Sequence, residues 1–463
     1  MTVNQTPEPA PRPRAEKVTP LSGFPEFLPA DRIAEQLVLD VIRRTFELHG
    51  FASIETRAVE PVSRLLGSGE DADKEIYGIH RLAARSEERG SDDALGLHFD
   101  LTVPFARYVL ENAGKLAFPF RRYQIQKVWR GERPQEGRYR EFTQADIDVV
   151  DAGELAPHFE AELPLVIAEV FRQLPVGDFR IQVNNRRIPE GFYLGIGVTD
   201  VVATLRIVDK LDKIGPQRTA DLLVGSGLSQ GQAEQVLALA AIRSEDLSFV
   251  EQVRALGVEH PTLDSGLDAL AAVIRAGLDL APGTLVADLR IARGLDYYTG
   301  TVYETQLVGH EGYGSVCSGG RYDTLASDGR TTYPGVGISI GVSRLLGLVV
   351  SRWGVTASRS TPTCVLVALA DEAHRPAAMR TAAALRSRGI PVEVAPAAAR
   401  FGKQIRYADR RGIPYVWFSG TDGAADEVKD IRSGEQVPAD AGAWLPPEED
   451  LHPSLVVPEP LGT

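Results

Sequence analysis

Residues able to bind an anion are concentrated in one stretch of the chain, residues 120 to 148. Seven arginine or lysine residues stand there against five carboxylates, although the 463-residue chain carries a net charge of −13. Arg130 ends one strand-like run, and Arg138 opens the next. Because a guanidinium group binds phosphate or carboxylate through two parallel hydrogen bonds, these two arginines could converge on one anion.

The same stretch supplies groups for a ring and for a small polar ligand. Phe142 offers a flat aromatic face, and Gln144 and Asp148 offer polar ends. The two polar residues are four positions apart, and since side chains alternate along a strand, both are predicted to point to one face. Cations for a phosphate, a ring for a base and polar groups for a small ligand together predict a nucleotide-activating site.

A long antiparallel hairpin is the element that would position these residues. Two strand-like runs flank Glu132–Gly137, a segment rich in turn-forming residues. A basic hairpin that binds a nucleic-acid backbone without chemistry would show a similar pattern. The hairpin alone therefore leaves both interpretations open.

Composition narrows the class of protein. The length suits about two to four domains with ample core, and the acidity argues against general coating of a polyanion. Cys317 and Cys364 are far apart and have no metal-ligand neighbours, which suits a reducing compartment. No apolar run approaches the ~18 to 20 residues of a membrane span, and the Pro-rich N-terminus has no apolar signal core. We therefore expect a soluble, cytoplasmic protein with no membrane partner.

Four further strings carry chemical groups at specific spacings. In Asp100-Leu101-Thr102-Val103-Pro104 a carboxylate beside a hydroxyl could hold an ammonium group, although capping of the following helix is an equally simple interpretation. Arg293–Gly300 (R-G-L-D-Y-Y-T-G) combines a positive charge, two tyrosines and glycines that allow close backbone approach. Ser318–Asp323 reads S-G-G-R-Y-D. Gly335–Arg344 is a glycine-spaced strand entering a helix, and its spacing is not that of a dinucleotide-binding fingerprint.

Taken along the chain, the hairpin and these strings resemble the motifs of the class II aminoacyl-tRNA synthetases, in the same order. The W-R-G-E-R-P…R-Y-R-E-F hairpin is similar to motif 2 of the histidyl-tRNA synthetases, and Gly335–Arg344 resembles motif 3. Arg293–Gly300 and Ser318–Asp323 resemble two signatures peculiar to the histidyl enzymes. A long helix and a strand that stops at Pro61 resemble motif 1, which builds the homodimer interface in that family. The resemblance covers roughly residues 18 to 445.

The resemblance implies activation of L-histidine by ATP, with Mg²⁺ and no tightly bound cofactor, followed by transfer to the 3′ end of tRNA(His) by a homodimer. It makes Arg130 and Arg293 the catalytic residues. The residues expected to contact ATP are Arg130, Glu132, Arg138, Phe142 and Arg344. The residues expected to contact histidine are Asp100, Leu101, Thr102, Gln144, Asp148, Tyr297 and Tyr298.

Finer roles also follow from the resemblance. Asp100, Thr102 and Gln144 would hold the α-amino group, while Asp148 and Tyr298 would contact the two imidazole nitrogens. Ser343 stands where most class II members have an acidic residue, which removes a partner for Arg344 or a metal. No metal site is assigned to the protein, and His98 is given no role.

The predicted fold class is α+β, with an antiparallel-sheet catalytic core of the class II type, a helical insertion and a C-terminal α/β anticodon-binding domain. Near the C-terminus, Lys403, Arg406 and Arg410 lie on a helix with aromatic residues and suit RNA, with a solvated helix face as the alternative. The predicted segments are a disordered tail (1–17), catalytic core (18–190), helical insertion (191–282), second part of the core (283–352), linker (353–361), anticodon-binding domain (362–445) and a loose acidic tail (446–463).

Two alternatives to a histidine–tRNA ligase remain. One is a non-catalytic paralogue, either a histidine-sensing regulatory subunit of a phosphoribosyltransferase or an RNA-sensing module. Such relatives typically lack the string 293–298 or the C-terminal domain, and this chain has both. The other is a class II synthetase for proline, threonine or glycine, against which the double tyrosine argues. Histidine-dependent ATP–pyrophosphate exchange would distinguish all three.

Overall fold

The computed structural model describes residues 18–66, 75–81, 94–291, 297–420 and 424–458. Arg293 and the predicted N-terminal tail (1–17) lie outside these ranges. The described helices are α1 (Pro29–Leu48), α2 (Val62–Leu65), α3 (Thr102–Asn112), α4 (His158–Gln173), α5 (Arg187–Gly195), α6 (Val201–Val208), α7 (Leu211–Ile214), α8 (Pro216–Gly225), α9 (Gln230–Ala240), α10 (Ser248–Arg254), α11 (Pro261–Leu280), α12 (Val342–Val349), α13 (Arg375–Ser387), α14 (Phe401–Arg411) and α15 (Glu448–Leu451).

The described strands belong to four sheets. They are β1 (Ala52–Ser53), β2 (Val59–Pro61), β3 (Gly78–Ile79), β4 (Leu95–Leu97), β5 (Phe120–Trp129), β6 (Glu141–Val150), β7 (Phe179–Asn185), β8 (Arg243–Ser244), β9 (Leu285–Asp288), β10 (Thr301–Leu307), β11 (Cys317–Tyr322), β12 (Gly335–Gly341), β13 (Thr356–Ala357), β14 (Val365–Val367), β15 (Val392–Val394), β16 (Tyr415–Phe418), β17 (Glu427–Asp430), β18 (Gln436–Pro438) and β19 (Leu455–Val456). No described helix is both long enough and apolar enough to cross a bilayer.

A nine-stranded sheet forms the centre of the molecule, in the order β1-β5-β6-β12-β11-β10-β7-β9-β8. The pairs β1–β5 and β7–β9 are parallel, and the other six pairs are antiparallel. The predicted hairpin is its longest pair: β5 and β6 pair over all ten residues of each strand. The prediction of an antiparallel catalytic core is confirmed.

One face of this sheet is apolar and is covered by helices. Ala145, Ile147 and Val149, which alternate along the second half of β6, are all fully buried, and they share one core with α1 and α4. The helices of the predicted insertion belong to the same core, and α11 packs against α4 and α5. Gln144, Asp146 and Asp148, which alternate with these residues, consequently point to the opposite face of the sheet.

The C-terminal domain is a five-stranded sheet in the order β15-β14-β16-β17-β18. Its first three strands are parallel and the last two antiparallel. Because β18 pairs with the outer side of β17, β18 rather than β17 forms that edge of the sheet.

The prediction of a loose tail from residue 446 is wrong for its described part. Leu455 and Val456 pair with Ala357 and Thr356, inside the predicted linker. Asp450 accepts hydrogen bonds from Tyr415 Oη at 2.6 Å and from the Arg432 guanidinium. This segment is acidic and proline-rich, yet it is ordered because its carboxylate and backbone have buried partners elsewhere in the chain.

Candidate active site

The register of the β5–β6 hairpin brings polar residues into opposed pairs on one face of the sheet. Arg122 lies opposite Asp148, Gln124 opposite Asp146, and Gln126 opposite Gln144. Directly opposed residues of an antiparallel pair have their side chains close enough to interact. This face therefore carries a row of polar groups across the sheet, backed by the apolar core beneath.

A cavity at the turn end of the hairpin is lined by all the described residues predicted to bind ATP. They are Arg130, Glu132, Arg138, Phe142 and Arg344. Gln144, predicted to contact histidine, lines the same cavity, together with Ser339 and Cys317. Residues more than 200 positions apart in sequence thus meet in one place, as the predicted site requires.

The two central arginines of this cavity are held in orientation by the protein. Arg130 donates from Nε to the Phe99 carbonyl at 3.0 Å, and its guanidinium lies 5.1 Å from the centre of the Phe142 ring. Arg344 lies 5.0 Å from the Tyr313 ring and donates from Nη2 to the Tyr313 carbonyl, while its buried Nε has no partner among the described residues. An arginine restrained in this way loses little further freedom when it binds an anion.

Ser343, the departure from the class II pattern, has a structural contact. Its Oγ accepts a hydrogen bond from the Thr143 backbone N–H at 2.9 Å. The bond joins the start of α12 to β6 and so sets Arg344 beside the hairpin. A serine can satisfy this backbone donor and remains buried without a charge.

Asp148 lies deeper than the arginines and is held on both oxygens. Arg122 Nη2 is 2.6 Å from Oδ2, and the Tyr322 hydroxyl donates to Oδ1 at 2.8 Å. Burial raises the pKa of Asp148 to about 6, although Arg122 and Tyr322 act in the opposite direction. Each carboxylate oxygen has a second lone pair, so Asp148 can still accept a hydrogen bond from a ligand.

Gly337 determines how closely β12 approaches Asp148. A Cβ placed on Gly337 would lie 2.0 Å from Asp148 Oδ1. Gly320 has a comparable role beneath Tyr298, because a Cβ there would lie 2.8 Å from the ring. The glycines of both strings therefore make room for side chains of the site.

Asp146 is a buried carboxylate of the site that sequence reasoning missed. It lies between Gln144 and Asp148 on β6 and is 2% exposed, and its Oδ1 has no hydrogen-bond partner among the described residues. Burial raises its pKa to about 7; Asp148 adds to this rise and Arg122 opposes it. An unpaired acceptor next to two further carboxylates favours a cationic ligand.

We expect Asp146→Asn to stabilise the free protein in a pH-dependent way. Because the pKa of Asp146 is raised above its unfolded value of about 3.9, the folded state holds a proton that the unfolded state releases. The free energy of unfolding is therefore not reduced by Asp146 below about pH 3.9. It falls as the pH rises from there to about 7, and the full reduction is present above about pH 7. Differential scanning calorimetry should show a larger rise in melting temperature at about pH 8 than at about pH 5. An equal rise at both pH values would contradict the proposed charge state.

The predicted ammonium cradle is held by contacts with α3 and with Tyr297. Asp100 is buried, its Oδ1 accepts from the Val103 N–H at 3.1 Å, and Oδ2 accepts from the Tyr297 hydroxyl at 3.2 Å. Burial raises the pKa of Asp100, while Val103 N–H and Arg130 oppose the shift. The carboxylate therefore holds the first turn of α3 and also faces Tyr297, so the capping and the ligand-binding interpretations are compatible.

The two neighbours of Asp100 in this turn are placed differently. Thr102 begins α3 and lies beside Tyr297, where its side chain partly opposes the rise that burial causes in the pKa of the tyrosine. The Leu101 side chain is fully buried, and its carbonyl accepts from Arg122 at 3.3 Å. Any contact of Leu101 with a ligand would have to come from its backbone.

Three residues with contacts in the site had no role assigned from sequence: Arg122, Asp146 and Tyr322. Asp146 could have been found, because it shares the even face of the strand with Gln144 and Asp148. Arg122 could have been found by counting the hairpin register, which places it opposite Asp148. Tyr322 lies within the S-G-G-R-Y-D string, but its contact with Asp148 joins residues 174 positions apart.

The predicted tRNA-contacting residues share one face of α14. Lys403, Arg406 and Arg410 are exposed, whereas Gln404 and Ala408 are buried. The cationic face is therefore available to a partner. This arrangement is compatible both with RNA binding and with a solvated surface.

Comparisons with known proteins agree with this geometry. A family model for histidyl-tRNA synthetase matches residues 23–345, and one for the anticodon-binding domain matches residues 363–441. A curated histidine–tRNA ligase of Micrococcus luteus is 61% identical over 448 residues, which cover 94% of this chain and 98% of the relative. One from Cutibacterium acnes is 58% identical and covers 95% and 99%. The chain belongs to the histidyl-tRNA synthetase family.

Solved structures support the same assignment. A histidyl-tRNA synthetase from a Nostoc species superimposes with a TM-score of 0.81 at 35% identity, over 92% of this chain and 97% of that one. A Bacillus halodurans protein described as an ATP phosphoribosyltransferase regulatory subunit/histidyl-tRNA synthetase has a TM-score of 0.70 at 18% identity, over 85% and 97%; that likeness shows the fold alone. The predicted fold class and the prediction of an aminoacyl-tRNA synthetase of the histidyl family are confirmed, and the regulatory-subunit alternative is not favoured.

Proposed function

We propose that the chain activates L-histidine with ATP and transfers the histidyl group to the 3′ end of tRNA(His). The observation that carries the proposal is the cavity in which Arg130, Arg138, Phe142 and Arg344 meet. Gln144 also lines this cavity, and on the same strand it is followed by the buried carboxylates Asp146 and Asp148. An anion-binding wall next to an acidic pocket suits a triphosphate next to a cationic amino acid. Family membership supports the same reaction.

ATP, entering as its Mg²⁺ complex, would lie along the arginine wall. Arg130 would contact the α-phosphate, and Arg138 and Arg344 the β- and γ-phosphates, while Phe142 would face the adenine ring. Arg138 is 3.3 Å from Glu132 and Arg344 lines the same cavity, so the three arginines approach from two sides. By resemblance Arg293 would act on the α-phosphate from the side opposite Arg130.

Histidine would occupy the acidic pocket. Asp100, Thr102 and Gln144 would hold its ammonium group, with Gln144 Oε1 free to accept because that buried atom has no partner among the described residues. Asp148 and Tyr298 would contact the imidazole nitrogens, and Tyr297 would lie beside them. A pocket that hydrogen-bonds both nitrogens leaves buried groups unpaired when an apolar analogue enters, which can discriminate by about four to five orders of magnitude.

Neither chemical step needs a nucleophile from the protein. In the first, a carboxylate oxygen of histidine bonds to the α-phosphorus as the bond to the bridging oxygen breaks, and pyrophosphate leaves. In the second, a ribose hydroxyl of the terminal tRNA adenosine attacks the histidyl carbonyl and AMP leaves. The arginines would accelerate the first step by alignment and by stabilising the charge that develops on the phosphoryl oxygens.

The remaining partners are proposed on the same basis. Exposed Lys403, Arg406 and Arg410 on α14 would contact tRNA(His) through bases and backbone. We also propose that the chain acts as a homodimer in the cytoplasm. Light scattering of the purified protein would measure its molar mass and so test the oligomeric state.

The test of the proposed function is ATP–pyrophosphate exchange with each amino acid in turn. We expect exchange with histidine alone, followed by charging of tRNA(His) transcript when it is added. Exchange with proline, threonine or glycine instead would assign a different synthetase. Histidine binding without any exchange would overturn the ligase and support a sensing role.

A further inference from the structure

A buried carboxylate outside the recognised motifs, Glu160, holds the segment that carries the two tyrosines. Glu160 lies in the first turn of α4, and only 6% of the residue is exposed. Its Oε1 accepts from Arg321 Nη1 at 2.7 Å. Its Oε2 accepts from Thr301 through the backbone N–H at 3.3 Å and also through the hydroxyl.

Arg321 extends this contact to the other side of the segment. Its Nε donates to Asp323 Oδ1 at 2.9 Å, and Asp323 Oδ2 accepts from the Thr299 hydroxyl at 2.6 Å. The Thr299 backbone N–H donates to the Arg321 carbonyl at 2.8 Å. Thr299 and Thr301, one on each side of Gly300, are therefore bound to one network of three charged residues. Thr299 contacts Asp323 and Arg321, and Thr301 contacts Glu160.

The segment between these bonds has little room to shift. A Cβ on Gly300 would lie 2.9 Å from Arg321 Cδ, so the backbone lies directly against the arginine. Tyr298 and Tyr297 immediately precede Thr299 in the chain. Tyr298 packs its ring on Gly320, and Tyr297 donates to Asp100.

From this arrangement we infer that Glu160 is a positioning residue for histidine: it sets the tyrosine segment through Thr301 and Arg321 while it touches no substrate. The inference rests on the proposed function. Hydrogen bonds between ionised groups are roughly twice as strong as neutral ones, and an amide in place of the carboxylate would present N–H groups to Thr301 or Arg321, which are donors themselves. The segment would then relax, and a displacement on the order of 1 Å can cost about 100-fold in a positioned site.

The chain offers a matched control two residues further along the same helix. Glu162 also pairs with an arginine, Arg121, at 3.2 Å, and its side chain is 30% exposed. No described contact of this pair reaches the tyrosine segment. Replacing either glutamate with glutamine removes one negative charge from α4, so a comparison of the two variants isolates the contact with Thr301 and Arg321.

The experiment measures histidine and ATP affinity for Glu160→Gln, Glu160→Asp and Glu162→Gln, both by calorimetry and as KM in exchange. We expect Glu160→Gln to weaken histidine binding by about 10- to 100-fold. The dissociation constant and KM for ATP should stay within about 2-fold of those of the wild-type protein. Glu160→Asp should recover part of the loss because it keeps the charge, and Glu162→Gln should change neither constant.

Two outcomes would overturn the inference. The first is an unchanged histidine affinity in Glu160→Gln. The second is an equal loss of histidine and ATP affinity together with a lowered melting temperature, which would indicate a purely structural role. If Glu160→Gln does not fold, Asp323→Asn tests the same network and should show the same selective loss. Calorimetry reads histidine binding even if exchange is absent. If exchange is absent but histidine still binds and this binding depends on Glu160, the ligase proposal fails while the inference holds. The two failures are therefore distinguishable.

Discussion

Arg130→Ala should lower the rate of histidyl-adenylate formation by about 10²- to 10³-fold, as expected for loss of a preorganised charge-stabilising donor. The Arg130 guanidinium is oriented by the Phe99 carbonyl and the Phe142 ring, so its remaining N–H groups are directed without reorganisation when the phosphoryl charge develops. The loss should appear in the chemical step under saturating ATP and histidine. Single-turnover quench experiments would measure it.

Lys127→Ala is the control for Arg130→Ala. Lys127 is a cation of the same strand, but its side chain is 54% exposed and paired with Glu141, outside the cavity that Arg130 lines. Its removal should change the rate by less than about 3-fold. A rate for Arg130→Ala within that same range, in protein of unchanged melting temperature, would refute the proposed role of the arginine.

Gly337→Ala should remove most histidine binding, with a loss of about 100-fold or more. The added methyl group would lie 2.0 Å from Asp148 Oδ1 and 2.5 Å from its Cγ, so either the carboxylate or the strand must move. Asp148 cannot move freely because Arg122 and Tyr322 hold both of its oxygens. Isothermal titration with histidine would measure the loss.

The neighbouring glycine at the end of the same strand provides the comparison. A Cβ on Gly341 would meet its nearest atoms at 3.4 and 3.5 Å, which is ordinary contact, and its backbone has a negative φ of −74°. Gly341→Ala should therefore leave the histidine dissociation constant within about 3-fold. If Gly337→Ala retained wild-type affinity, the geometry proposed around Asp148 would be wrong. A variant that also lost ATP binding would indicate misfolding, and Asp148→Ala would then test the same contact.

Local patterns in the sequence were sufficient to identify the family and most of the candidate site. The alternation of side chains placed Gln144 and Asp148 on one face of β6, and the turn-rich segment at 132–137 placed Arg130 and Arg138 at the turn end of a hairpin. These inferences concern neighbours within one strand or one turn. Backbone geometry determines such relations without reference to the rest of the chain.

Relations between distant segments emerged only from the folded chain. The Arg122–Asp148 pair depends on the register of ten residues in each strand. The raised pKa of Asp146 depends on the burial that β12 and its neighbours impose. The ordering of residues 448–456 depends on partners as far back as Thr356, although their composition alone is typical of a loose tail.

Glu160 illustrates the difference most clearly. In sequence it is one acidic residue near the start of an amphipathic helix, and nothing in its spacing separates it from Glu162. In the fold its carboxylate meets Thr301 and Arg321, more than 140 positions away. Composition and periodicity report which face of an element is apolar, whereas the partner of a buried charge is determined by long-range packing, because its energy depends on which groups replace water around it.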